Sequence, residues 1–114
     1  MFDFEKLTVY AKAKDFNKKV NNFLKSNNLD RTTNDQLRRA SFSIMLNIAE
    51  GSGRFTKPDK RNFYVISRGS TFECVAIFDY LKDIETLNEQ EFKDFYNDLD
   101  ELSRMLFAMI KTLS

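Results

Sequence analysis

Apolar residues recur every three or four positions through most of the chain, which is the spacing of one face of an α-helix. The densest pattern lies between residues 36 and 54, where one stripe is formed by Leu37, Ala40, Ile44 and Ile48. Small side chains stand beside this stripe and would let another helix approach closely. We therefore expect an inner helix at the centre of the fold.

The sequence also marks the start and the end of this inner helix, which is the second predicted helix of the chain. Thr33 followed by Gln36 fits a capping box, which predicts the start of the helix. After the last apolar residue, Gly51 or Gly53 can take the left-handed conformation that closes a helix. The Gly-Ser-Gly sequence lacks the length and the Gly-Lys-Ser/Thr end of a phosphate-binding P-loop, so we interpret it as a structural turn.

Two further stretches on either side show the same periodicity. The first helix is predicted from about Phe4 to Leu24. Pro58 belongs to the first turn of the third helix, where proline is tolerated, with Thr56 or Lys57 as the entry residue. Gly69 lies inside this third helix, where glycine costs about 1 kcal/mol relative to alanine. Close packing of Gly69 against the small residues of the second helix, with Ser67 and Ser70 on the same surface, would compensate.

The fourth helix is predicted from about Glu89 to Leu113, with a capping box of Asn88 and Glu91 at its start. Tyr96 and Phe107 lie off its main stripe and widen the apolar face, which favours self-association. Three glycines and one proline are too few to punctuate a sheet protein. The pattern therefore predicts an all-α fold, an antiparallel up-and-down four-helix bundle in a single domain of residues 1–114.

The residue inventory excludes several classes of function. Histidine is absent, so a histidine-based catalytic triad, zinc site or haem site is excluded. The single cysteine, Cys74, has no partner for an internal disulfide and no adjacent base, and we expect it to be a small buried hydrophobe. We expect no cofactor and no enzymatic activity. The acidic N-terminus does not resemble a signal peptide, and no long apolar run exists, so we expect a cytoplasmic protein that does not enter membranes.

The formal net charge of +1 hides a strong asymmetry. Residues 1–68 hold 14 Lys and Arg against 7 Asp and Glu, or +7, whereas residues 69–114 hold 4 against 10, or −6. This asymmetry indicates a surface that binds a polyanion or another subunit, unless the two halves neutralise each other on folding. The candidate nucleic-acid-binding residues are Arg38, Arg39, Arg54, Lys57, Lys60, Arg61 and Arg68. The lysines of the first helix are either a further phosphate-binding strip or an ordinary solvated face.

Asn47 and Glu50 precede the turn that ends the second helix. Glu50 could act as a general base, but it has no partner acid or metal site. We therefore predict that both residues fasten the end of the helix by hydrogen bonds. Glu50 or Glu73 could form an ion pair with Arg38, Arg39 or Arg68. Such a pair would fix the register between helices, and its arginine would no longer be available to bind phosphate.

Several short motifs follow one another in a fixed order from the second helix into the third. They are Leu37-Arg38-Arg39-Ala40, Ser43-Ile44, Asn47-Ile48-Ala49-Glu50-Gly51, Gly53-Arg54 and Arg68-Gly69-Ser70 followed by Glu73. Together they resemble the signature of the four-helix-bundle family named for 23S ribosomal RNA intervening sequences. Met45 and Leu46 stand where members often carry Pro-Ser, which predicts a second helix with less of a kink.

The family resemblance carries its own expectations. The family includes the accessory variability proteins of diversity-generating retroelements, which form pentameric barrels, bind nucleic acid and associate with a reverse transcriptase. The resemblance therefore implies a homopentamer with a basic surface for RNA or DNA, and a reverse transcriptase as one possible protein partner.

Two hypotheses follow. The first is an oligomeric accessory protein that binds RNA or DNA through phosphate contacts, since no base-reading motif is present. The second is a protein-interaction scaffold without nucleic-acid binding, in which basic residues of one subunit face an acidic set on the next. That acidic set is Asp79, Asp83, Glu85, Glu89 and Asp94.

Overall fold

Four long helices and no strand make up the fold in a computed structural model that describes all 114 residues. A short 3₁₀ helix, Asp3–Lys6, precedes them. The helices are α1 (Thr8–Ser26), α2 (Arg31–Ser52), α3 (Lys57–Asp83) and α4 (Glu89–Thr112). The predicted all-α class is confirmed, and α2 is one unbroken helix.

The helices pack in a closed ring. Each helix packs closely against its neighbours in sequence, α1 also packs against α4, and the backbones of the diagonal pairs stay apart. Because the connections are short, consecutive helices run antiparallel and form an up-and-down bundle with extents of 44 × 24 × 22 Å. None of the helices combines the length and the apolar character that crossing a membrane requires.

The core combines an aliphatic seam with one aromatic cluster. The apolar stripe of α4 is buried at Leu99, Leu102 and Leu106. The rings of Phe78 and Phe95 are stacked with centroids 4.2 Å apart. Phe16 and Phe23 of α1 meet both rings edge-on. This cluster ties α1, α3 and α4 together at the end of the bundle where α4 begins.

The predicted helix starts are correct for α3 and α4 and wrong for α2. Thr56 caps α3 by accepting a hydrogen bond from the Asp59 N–H, and Asn88 forms the expected capping box of α4. The start of α2 is capped by Asp30, whose carboxylate accepts from the Thr33 N–H at 3.2 Å. The helix therefore begins at Arg31, three residues before the predicted box would place it.

The glycines do not play the roles predicted for them. No glycine has a positive φ, and Gly53 at the end of α2 has a φ of −87°. Gly51 instead lies against α3, where an added Cβ would be 2.8 Å from Tyr64 Cε1. Gly69 has no neighbour within 4 Å of such an atom. The close approach between α2 and α3 is thus made by Gly51, and the predicted packing of Gly69 is wrong.

Hydroxyl groups line the α2–α3 contact, as expected for Ser67 and Ser70. Ser67 Oγ donates to the Ile44 carbonyl oxygen at 2.8 Å, and Ser70 Oγ donates to Ser43 Oγ at 2.9 Å. Gly69 lies on the other side of α3, so the three residues do not share one surface. Side-chain hydrogen bonds across this seam satisfy polar groups that helix packing would otherwise leave unpaired.

Candidate nucleic-acid interface

Four of the seven candidate basic residues lie together where α2 passes into α3. We call Arg54, Lys57, Lys60 and Arg61 the loop cluster. Gly53 to Thr56 form the connection itself, and the other three cations occupy the first two turns of α3. Arg54, Lys57 and Arg61 are exposed, and Lys60 is half-buried. The one carboxylate within residues 53–61 is that of Asp59.

Two members of the loop cluster also close the end of α2. The guanidinium of Arg54 lies over the Phe63 ring, 4.4 Å from its centroid, and 3.9 Å from the Glu50 carboxylate. Lys60 Nζ donates to the Ser52 carbonyl oxygen at 2.8 Å, which satisfies one of the free carbonyls at a helix end. Each cation retains further N–H donors, because a guanidinium has five and an ammonium three.

Lys57 and Arg61, the other two members of the loop cluster, make fewer contacts within the protein. Arg61 Nε donates to Ser114 Oγ at 3.2 Å, which links α3 to the end of the chain. Lys57 makes no hydrogen bond or ion pair with another side chain. Most of the donor capacity of the loop cluster therefore faces solvent.

Arg38 and Arg39 are exposed on α2 but lie far from the loop cluster. Neither makes a side-chain hydrogen bond or an ion pair. At 1.5 Å per residue, Arg39 and Arg54 are separated by roughly 20 Å along the helix axis. The fold therefore does not bring all seven candidates into one patch.

Arg68 is packed between α3 and α4. Its guanidinium lies 4.8 Å from the centroid of the Phe72 ring and 5.4 Å from that of Phe107. Its Nε donates to the Ser103 carbonyl oxygen at 3.3 Å. Arg68 thus bridges α3 and α4 by non-covalent contacts, and only its two terminal nitrogens remain available to bind an anion.

The predicted interhelical ion pairs do not form. Glu50 is paired with Arg54, four residues later on the same end of α2, and Glu73 makes no ion pair. Arg38 and Arg39 lie several turns away from Glu50 on the same helix, and Arg68 turns toward α4 instead. The register between α2 and α3 is held by the serine hydrogen bonds and by the contact of Gly51 with Tyr64.

Asn47 does make local hydrogen bonds, but not at the end of α2. Its Nδ2 donates to the carbonyl oxygen and to the Oγ of Ser43, both at 2.9 Å. Because Ser43 also accepts from Ser70, the three side chains form a chain of hydrogen bonds toward α3. Asn47 therefore supports the α2–α3 contact.

Charge neutralisation between the two halves of the sequence occurs through α1. Lys12 pairs with Glu101 at 3.0 Å, and Lys19 pairs with Asp98 at 2.8 Å. The hydrogen bond from Asp98 raises the pKa of Lys19. No ion pair joins the loop cluster to the acidic half. Part of the α1 strip is thus occupied, whereas the loop cluster keeps its charge.

An exposed apolar groove runs between α3 and α4. Its upper part, of about 380 Å³, is lined by Phe72, Phe92 and Tyr96, with Asp79 and Asp100 at its edge. It continues past Gly69 to Phe107 and Ile110. The off-stripe positions of Tyr96 and Phe107 predict part of this groove. The contribution of α3 was not predicted, because Phe72 fits the helical apolar periodicity that is typical of core positions.

Phe55 is the other feature that sequence reasoning missed. It lies in the connection between α2 and α3, and its side chain is as exposed as in an extended peptide (101%). The signal was present in the sequence as a large aromatic residue between Arg54 and Lys57, outside any helical stripe.

The rest of the molecule offers few side chains suited to metal binding or catalysis. No group of three or more Cys, Asp and Glu side chains has the spacing of a metal site. Cys74 is fully buried, and burial raises the pKa of its thiol to about 12. A thiol held neutral in this way is a packing group, as expected.

Comparison with known proteins identifies the family of the chain and a solved structure with the same fold. Residues 5–108 match the family described as 23S rRNA-intervening sequence protein. A crystal structure of a protein with unknown function from the S23 ribosomal protein family of Bacteroides thetaiotaomicron superposes with a TM-score of 0.86. That alignment has 23% sequence identity and covers 91% of this chain and 99% of the other. No curated protein matches the sequence at a significant level.

Proposed function

Because the chain belongs to the 23S rRNA-intervening sequence protein family, we propose that it is a non-enzymatic, oligomeric accessory protein that binds RNA or DNA. Binding is directed at the phosphate backbone through the loop cluster, with Arg38 and Arg39 as a second, separate contact. The protein acts in the cytoplasm. A homo-oligomer, a pentamer by the family resemblance, presents several copies of the same basic surface.

The observation that carries this proposal is the lack of any ion pair between the loop cluster and the acidic half of the chain. The bridges between the halves use Lys12 and Lys19 of α1 instead. Lys57 and Arg61 have no carboxylate partner, and Arg54 has only Glu50 at 3.9 Å. These exposed cations can therefore displace counterions from phosphates, which is the main source of nonspecific affinity for nucleic acids.

Assembly is needed for useful affinity. One subunit offers only a few phosphate contacts, and the contribution of each falls as salt rises. Joining subunits makes the second and later contacts intramolecular, so affinity increases without new chemistry. The proposed oligomer therefore serves to multiply a modest basic patch.

Binding of structured RNA and of duplex DNA at low and at moderate salt tests the proposal. The informative variant replaces Arg54, Lys57 and Arg61 with glutamine and leaves Lys60 in place, because Lys60 is half-buried and its ammonium donates to the Ser52 carbonyl oxygen. A matched control replaces Lys82, Lys93 and Arg104, which removes the same charge from residues 69–114. We expect binding at low salt, a loss of tenfold or more in the first variant, and a small change in the control. Absence of binding at low salt would remove the hypothesis.

The groove between α3 and α4 favours a second candidate, a protein-interaction scaffold without nucleic-acid binding. Apolar side chains rarely form an exposed strip of this length unless another surface covers it. Asp79, which lines the groove, suits a basic surface such as the unpaired lysines of α1 in another subunit, whereas Asp100 already pairs with Arg104. The oligomer is common to both candidates, whereas only the first predicts affinity for nucleic acid.

Light scattering across salt concentration separates the two candidates. Association through complementary charges weakens as salt rises, because exposed charges are screened over about 10 Å at 0.1 M salt. A scaffold of this kind dissociates at high salt and leaves RNA and DNA unbound at low salt. A monomer at every protein concentration would contradict both candidates.

A further inference from the structure

We propose that the loop cluster takes unpaired nucleotides, with a base stacked on Phe55, so that the preferred ligand is single-stranded RNA or DNA. This inference rests on the proposed function and adds the class of nucleic acid that the same surface selects. It starts from the position of Phe55, which is fully exposed at the tip of the connection (101%). A phenylalanine in this position contributes nothing to the core.

The surroundings of Phe55 combine charge with flat surfaces. Arg54 and Lys57 flank it in sequence, and Arg61 lies one turn beyond Lys57 on α3. The guanidinium of Arg54 lies over the Phe63 ring, 4.4 Å from its centroid. Arginine planes and aromatic rings are the two kinds of side-chain surface on which unpaired bases stack. The connection therefore presents two such surfaces next to cations that reach phosphates.

Duplex nucleic acid cannot use Phe55 in this way. The faces of paired bases are covered by their neighbours in the helix, so a duplex offers the loop cluster its phosphates and groove edges but no free base face along its length. A single strand offers phosphates and free base faces together. The structure thus favours ligands that satisfy both Phe55 and its flanking cations.

A membrane surface with anionic lipids is the main competing ligand, because it also attracts cations and aromatic residues. The placement of Arg54 argues against it. Its guanidinium covers Phe63 and so puts a charge where an inserting surface would need an apolar face. Phe55 is the one exposed large apolar side chain within residues 53–61. One aromatic ring with charge on both sides suits a stacked base better than a bilayer.

Tryptophan fluorescence offers a direct test, since the chain contains no tryptophan. Phe55→Trp places a single reporter at the proposed stacking position without disturbing the core. Tyr80→Trp is the matched control, because Tyr80 is also exposed but lies near the far end of α3. The probes are a 12-nucleotide oligothymidine, an oligouridine of the same length and a 12-base-pair duplex. We expect both single strands to quench Phe55→Trp and to leave Tyr80→Trp unchanged.

Affinity measurements on Phe55→Ala complete the test. Loss of a stacked base weakens single-strand binding by roughly tenfold or more, while binding of the duplex changes less than twofold.

Three outcomes overturn the inference in distinguishable ways. Equal losses for single strand and duplex, or no quenching of Phe55→Trp, would leave backbone binding intact and remove the stacking site. Absence of binding to any nucleic acid by the wild-type protein would remove the proposed function as well. A blue shift of Phe55→Trp with vesicles containing phosphatidylserine, without response to oligonucleotides, would assign the surface to membranes.

Discussion

Gly51 and Gly69 are both inside helices, yet they lie in opposite environments. A Cβ at position 51 would overlap Tyr64 Cε1 at 2.8 Å and lie 3.0 Å from Phe63 Cβ. A Cβ at position 69 would meet nothing within 4 Å. The first glycine is there for close packing of α2 on α3, whereas the second has no role within the subunit.

Alanine substitutions at these two positions are therefore expected to have opposite effects. Gly51→Ala destabilises the fold by about 1 kcal/mol, because overpacking outweighs the gain in helix propensity. Gly69→Ala stabilises the subunit by about 1 kcal/mol, because only the propensity term applies. Urea denaturation at a protein concentration where the subunit is monomeric measures both. A loss of stability in Gly69→Ala would show that the groove is packed within the subunit.

The buried thiol of Cys74 makes the stability of the folded protein decrease as pH rises in the alkaline range. Burial raises the pKa of its thiol from 9.0 to about 12, so the folded state keeps a proton that the unfolded chain releases. The stabilisation is complete below pH 9 and declines as pH rises toward about 12. The decline approaches about 1.4 kcal/mol per pH unit in the middle of this range.

Urea denaturation of the wild type and of Cys74→Ala at pH 8, 9 and 10 tests this expectation. The wild type loses stability faster than the variant above pH 9, since the variant lacks the titrating thiol. Burial also raises the pKa of Tyr64, so the variant retains part of the dependence. Parallel curves for the two proteins would contradict the burial argument.

At the level of helices, the sequence predicted most of the architecture because each helix carries its own apolar stripe and punctuation. Thr56 with Pro58, and Asn88 with Glu91, are local signals, and the structure confirms both starts. The start of α2 was misplaced because both Asp30 and Thr33 can cap a helix. Choosing between them requires knowing where the chain leaves α1.

The two candidate caps of α2 are separable by mutation. Asp30→Ala lowers the urea midpoint more than Thr33→Ala does, because the Asp30 carboxylate accepts the hydrogen bond at the helix start. Thr56→Ala, which removes the cap of α3, provides the scale with an expected loss of about 1 kcal/mol. A larger effect of Thr33→Ala would restore the capping box that the sequence predicted.

Over the whole molecule, the charge asymmetry was readable from the sequence, but the distribution of ion pairs was not. Which cations are neutralised depends on α1 lying beside α4, a contact between the two ends of the chain. That contact occupies Lys12 and Lys19 and leaves the loop cluster free. The candidate arginines were likewise identified by type, whereas the stacking of Arg68 between two rings depends on tertiary packing.

The exposed aromatic residues were likewise only partly predictable from the sequence. Tyr96 and Phe107 stood out because they depart from the stripe of α4. Phe72 did not, because it fits the apolar periodicity of α3, and Phe55 was missed although it lies outside any helical stripe. Only the folded chain shows that one lines a groove and the other stands alone beside the loop cluster.

The salt dependence of duplex DNA binding tests most directly whether the loop cluster contacts phosphates. The logarithm of the binding constant is measured against the logarithm of salt concentration for the wild type and for the Arg54, Lys57 and Arg61 glutamine variant. We expect the slope of the variant to be shallower by roughly 2 to 3 for each subunit in contact, while the Lys82, Lys93 and Arg104 control keeps the wild-type slope. Identical slopes in all three proteins would contradict the account.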